Sequence, residues 1–156
     1  MSEEEVTGAA SKLSTAVADE ILKLSESGNE YIDEDDFDSA IAAWEEALAL
    51  IPQPQTQHIE SVWLNASIGD AYFLQDDFKT ALTFFEAAQS NTEEDTAANP
   101  FIMLRLGECY LEKGDKEKAK DYLLKAYLLE PDGIFYGEEE KYFDFLKANV
   151  DLKAQG

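Results

Sequence analysis

Apolar residues return at helical intervals from Leu13 through Val17, Ile21 and Leu24 toward Tyr31, with acidic and small polar residues between them. The rhythm breaks at Asp35-Asp36-Phe37, and comparable breaks recur at Asp76-Asp77-Phe78 and Gly114-Asp115-Lys116. Each break predicts a short turn joining two helices. An aspartate placed there can accept from the free amides of the second helix and complement the positive end of its dipole. Prolines punctuate the chain further: Pro52 and Pro54 end one helix before another begins, and Asn99-Pro100 reads as a helix start with asparagine as cap. After Pro131 the rhythm stops. The segment 132–137 reads as a loop, and Glu138 to Asn149 as a last helix carrying Tyr142, Phe143, Phe145 and Leu146. The fold class expected is all-α.

The helical segments repeat one another. Gly-x2-Tyr-x8-Ala occurs at Gly28/Tyr31/Ala40, Gly69/Tyr72/Ala81 and Gly107/Tyr110/Ala119. Four residues beyond each alanine stands a large residue (Trp44, Phe85, Leu123), three further on another alanine (Ala47, Ala88, Ala126), and Pro52 and Pro131 close two of the units. This pattern resembles the tetratricopeptide repeat. The resemblance implies a right-handed α-solenoid of antiparallel helix pairs. Three units would span about 13–52, 56–93 and 96–131, with a capping helix at 138–149, in one domain from 11 to 149. Residues 1–10 are expected to be a disordered N-terminus, since Ser-Glu-Glu-Glu offers nothing to bury, and 150–156 a tail. Small glycine and alanine at facing positions let two helices approach closely, while the tyrosine and the large residue fill the space around that contact.

The glycines are spaced by 41 and then 38 residues, more than the usual period of about 34. The extra residues fall in the connectors 52–58 and 90–100, which leads to the expectation of longer first helices in the second and third units. Cys109, the only cysteine, excludes an internal disulfide and sits where Ala71 sits one unit earlier, so it is read as a small buried side chain. His58 is the only histidine and is read as a solvated connector residue with no nucleophile tied to it by any motif. The acidic run Asp33–Asp38 fails as a calcium loop, because Asp38 stands where that loop needs glycine and Trp44 where it needs glutamate. No catalytic residue, metal or other cofactor is therefore expected. The chain shows no membrane-spanning run, and its acidic start lacks the features of a secretory signal, so the default is a reducing, cytoplasmic location.

Charge narrows the partner. Residues 1–78 hold 18 acids against Lys12 and Lys23, a net of −16, and residues 79–156 hold 16 acids against 10 basic residues, a net of −6. A field of that sign disfavours nucleic acid and anionic membrane and steers in a basic protein, although it also serves plain solubility. The resemblance implies a concave groove lined by the first helix of each pair. Helical stepping from each glycine places Ser25, Asn29, Ile32 and Asp33 there from the first unit, Trp63, Ala66, Ser67, Asp70 and Phe73 from the second, and Phe101, Arg105, Glu108, Leu111 and Glu112 from the third. The lining is aromatic and acidic, suited to an extended or helical segment bearing apolar anchors and lysine or arginine. Members of the family that clamp the carboxylate of chaperone tails use lysine, asparagine and arginine. Here Asn29 and Arg105 match, but Ser25 and Phe101 stand for the lysines and Ser67 for an asparagine, which argues against acidic tails. The function expected is a non-enzymatic protein-binding module. An immunity- or antitoxin-like masking of a basic toxin is slightly preferred, ahead of a secretion chaperone holding an extended client segment. A structural adaptor that self-associates through the aromatic loop Ile134-Phe135-Tyr136 is the third reading.

Overall fold

The computed structural model describes residues 13–90 and 99–155, and what was expected of residues 1–10 lies outside them. The first pair is α1 (Thr15–Asp33) and α2 (Phe37–Ala49), the second α3 (Ile59–Leu74) and α4 (Phe78–Gln89), and the third α5 (Pro100–Glu112) and α6 (Lys116–Leu129). A further helix, α7 (Glu140–Asn149), follows, and then a single turn, α8 (Leu152–Gln155), in place of the expected tail. Among the described residues there is no strand. The first helices do not lengthen as expected: α1 has 19 residues, α3 has 16 and α5 has 13. In the first connector the extra residues are spent on Ile51–Pro54 and the 3-10 turn Gln55–Gln57, because Pro52 and Pro54 cannot donate to a continued helix.

The turns work as the aspartates predict. Asp36, Asp77 and Asp115 cap the second helices, each accepting from the backbone N–H three residues on, at Ser39, Thr80 and Lys118. One residue before each cap the backbone enters the left-handed region, at Asp35 (φ 60°), Asp76 (φ 65°) and Gly114 (φ 90°). Aspartate and glycine are among the residues that tolerate that conformation. Asn99 caps α5 from in front of Pro100, accepting from Ile102 N–H at 3.0 Å.

Within each pair the glycine lies under the large residue of the second helix. A Cβ on Gly28 would fall 2.2 Å from Trp44 Nε1, one on Gly69 3.0 Å from the Phe85 ring, and one on Gly107 2.6 Å from Leu123 Cγ. The core forms two clusters. Ile21, Ala40, Trp44 and Ala47 of the first pair meet Leu64, Ile68 and Ala71 of α3. The opposite side of α3, through Val62, Ala66 and Phe73, joins the second and third pairs and the cap residues Tyr142 and Leu146. Cys109 is fully buried in this second cluster, as expected, and burial pushes its thiol up to about 12.

Two expectations are overturned by packing. His58 is buried, not solvated, because it occupies the cap position of α3, and its carbonyl accepts from the Ser61 hydroxyl at 2.8 Å. In the aromatic loop, Ile134 is buried and Phe135 half-buried against Phe143, with ring centroids 4.7 Å apart, so only Tyr136 (92% exposed) offers a free ring. That loop serves to seat the cap.

Candidate functional site

Between α3 and the start of α5 lies a concavity of about 430 Å³. It is lined by Trp63, Ala66, Ser67, Asp70, Asn99, Phe101 and Ile102. Trp63 is 57% exposed and Phe101 36% exposed, whereas Ile102 and Ala66 form a buried floor. Two aromatic walls over an apolar floor with one carboxylate at the edge can take an apolar side chain, or a cation with an apolar stem.

Behind Phe101 lies a charge cluster. Arg105 Nε donates to Asp70 Oδ1 at 2.8 Å, and its Nη1 donates to Glu108 Oε1 at 2.7 Å and to Glu138 Oε1 at 2.6 Å. Its guanidinium also sits over the rings of Phe73 at 4.3 Å and Phe101 at 4.9 Å. Burial alone would make Arg105 easier to deprotonate, but Asp70, Glu108 and Glu138 outweigh that and hold it more firmly charged. Glu108 has no exposed surface, and its Oε2 has no donor. Burial first, then the hydrogen bond with Glu138, pushes its carboxyl up to about 9 against the pull of Arg105. Glu108 therefore carries its proton at neutral pH and donates to Glu138, leaving one cation between two anions.

The sequence-predicted residues divide into three groups. Trp63, Ser67, Asp70 and Phe101 are brought together at the concavity. Phe73, Arg105 and Glu108 lie behind it, buried, and Glu112 is tied up at the far end by Lys141 and by the Tyr142 hydroxyl, each at 2.6 Å. Burial would raise the pKa of Glu112, but those two bonds prevail and lower it. Asn29 and Asp33 are exposed on α1 and are not among the residues lining the concavity. Leu22, 57% exposed and not among the residues lining the concavity, stands six positions before Gly28, as Trp63 and Phe101 stand six before Gly69 and Gly107. The repeat register alone could have found it, since it puts one exposed apolar residue on the first helix of every pair.

Residues 102–132 match the tetratricopeptide repeat family. The chain matches no curated protein in sequence. Among solved structures, the first TPR of Spaghetti (RPAP3) bound to the HSP90 peptide SRMEEVD is 19% identical over 87% of this chain and 94% of that one, with a TM-score of 0.65. The N-terminal domain of stress-induced protein-1 (STI-1) from C. elegans is 18% identical over 85% of this chain and 98% of its own, with a TM-score of 0.63. The Yersinia enterocolitica type III secretion chaperone SycD, in complex with a peptide of the translocator YopD, is 16% identical over 90% and 99%, with a TM-score of 0.67. Helix pairs closed on glycine run the length of the array and residues 102–132 match one tetratricopeptide repeat, so the chain has the all-α solenoid fold of these tetratricopeptide-repeat structures.

Proposed function

We propose that this chain is a non-enzymatic binding module that holds a basic segment of a protein partner across its first helices. The observation that carries the reading is the pair of exposed aromatic walls, Trp63 and Phe101, standing over an apolar floor with Asp70 at its edge. Leu22 extends the same register onto the first pair, and the exposed Glu26, Asn29 and Asp33 beside it keep the approach polar and acidic. Apolar anchors supply most of the affinity in such contacts, and the field of a chain with net charge −22 selects a cationic partner and speeds its arrival. The TPR domain of Spaghetti and the chaperone SycD, which share the fold, are each seen with a bound peptide. That favours the capture of a peptide segment over the masking of a folded toxin, which has only the charge in its support.

Short synthetic peptides matched in leucine content, with either lysine and arginine or aspartate and glutamate at the other positions, test this reading. The basic set should bind and perturb the fluorescence of Trp63, with the buried Trp44 as a constant background. Trp63→Ala and Phe101→Ala should each weaken that binding about tenfold, which corresponds to about 1.4 kcal/mol. Equal binding of the acidic set, or no effect of either substitution on a folded protein, would sink the proposal.

A further inference from the structure

Phe73, Arg105, Glu108 and Glu112 all stand on the register expected to face a partner, and all four are covered or held by the chain's own C-terminal segment. Glu138 reaches Arg105 at 2.6 Å, Lys141 Nζ and the Tyr142 hydroxyl reach Glu112 Oε2 at 2.6 Å each, and the Tyr142 ring lies 6.4 Å from that of Phe73 on α3. Tyr142 is buried there, in the cluster that contains Phe73 and Cys109. On α1 the positions equivalent to Arg105, Glu108 and Glu112, namely Glu26, Asn29 and Asp33, are exposed, and Ile32, equivalent to Phe73, is half-buried.

The segment is anchored on two sides. Phe143 stacks on Phe135 at 4.7 Å and on Tyr127 of α6 at 6.0 Å, and Leu146 is fully buried, so the body of α7 is held independently of the concave face. Between the two anchorages lies Gly137, whose φ of 83° suits glycine and turns the chain so that Glu138 points at Arg105. Of the concave-side attachments, water competes most for the Lys141–Glu112 pair, since Lys141 is half exposed, while the Glu138–Arg105 pair and Tyr142 are largely buried. The stacked side is apolar and keeps its hold.

We propose that residues Glu138–Tyr142 form a latch in cis, occupying the concave face of the second and third units as a partner segment would. It rests on the reading of that face as a partner site. A partner gains Phe73 and Glu112 only when the latch lifts about Gly137 and the first turn of α7 unwinds. The latch also displays the chemistry its competitor must bring: a basic side chain for Glu112 beside an aromatic ring for Phe73. A partner segment with lysine or arginine adjacent to tyrosine or phenylalanine meets both demands.

The test uses the full chain, its Glu138→Ala and Lys141→Ala variants, hydrogen exchange, and a synthetic basic peptide containing a Lys-Tyr pair. Each substitution should speed exchange in residues 138–143 about tenfold while α1 to α4 stay unchanged, and should tighten peptide binding severalfold. The two substitutions change net charge in opposite directions, so a shared effect excludes a simple change in long-range attraction. Lys141 is a surface side chain, so its variant folds even if Glu138→Ala does not. Faster exchange spread evenly over all helices, or wild-type binding that neither variant improves, overturns the latch alone. Failure of the peptide to bind any of the three proteins overturns the partner-site reading and the latch with it.

Discussion

Glu108 is a carboxyl with no exposed surface that keeps its proton far above the pH at which an exposed glutamate loses it. Its folded-state pKa, about 9, is raised above the unfolded value of about 4.5, so the native state binds the extra proton. The stability linked to this group is therefore fully present below the unfolded value and is lost as pH rises through about 9. Holding that proton at neutral pH costs about 3 kcal/mol relative to an exposed glutamate. Glu108→Gln keeps a neutral group able to donate to Glu138 and accept from Arg105. It should raise stability at neutral pH by about 2 kcal/mol and flatten the pH dependence between about 5 and 9, as measured by urea unfolding across that range. An unchanged pH slope in the variant would show that Glu108 is ionised in the native protein. Helical stepping placed Glu108 on the concave register but gave no sign that it is buried. That follows from Glu138, whose approach depends on a loop with no counterpart in the repeat pattern.

The helix pairs show where the repeat can and cannot absorb change. A Cβ on Gly69 meets the Phe85 ring at 3.0 Å, which a shift of a few tenths of an ångström relieves, and alanine gains about 1 kcal/mol of helix propensity over glycine. A Cβ on Gly107 meets Leu123 Cγ at 2.6 Å and the Leu123 backbone nitrogen at 2.9 Å, and the backbone cannot move without parting α5 from α6. Gly107→Ala should therefore cost about 2 kcal/mol, whereas Gly69→Ala should be near neutral, in thermal or urea unfolding of the two variants. Equal losses would mean that the helix spacing is set elsewhere. The paired helices were legible because each unit carries its own glycine, tyrosine and alanine at fixed offsets, and the caps because Asp36, Asp77 and Asp115 recur with them. The connectors were not legible. In the first of them the extra residues became an irregular link and a 3-10 turn at residues 51–57, and His58 was drawn into the protein as the residue from which α3 starts. Of the candidate residues, Trp63, Ser67, Asp70 and Phe101 line one concavity, because the repeat register sets them on adjacent first helices, whereas the burial of Phe73, Arg105 and Glu108 was not legible.

Across the array as one body, charge works against cohesion. A net charge of −22 on 156 residues makes like-charge repulsion a standing cost of the folded state. Raising ionic strength from about 0.01 M to about 0.15 M shortens the screening length from about 30 Å to about 8 Å. The melting temperature should rise over that interval at fixed neutral pH. A fall would mean that attractive pairs such as Lys141–Glu112 outweigh the repulsion. The sequence gives the charge and its bias toward the first half but not the arrangement of the core, in which α3 serves two clusters from its opposite sides. One cluster gathers the second and third pairs with the cap. The other joins α1 and α2 to α3, and among the described residues no helix precedes α1 to cover its far side. Under tension or heat the array should therefore come apart from its α1 end, shedding the first pair like the outermost plank of a stack, while the portion clasped by the C-terminal helix remains folded behind it.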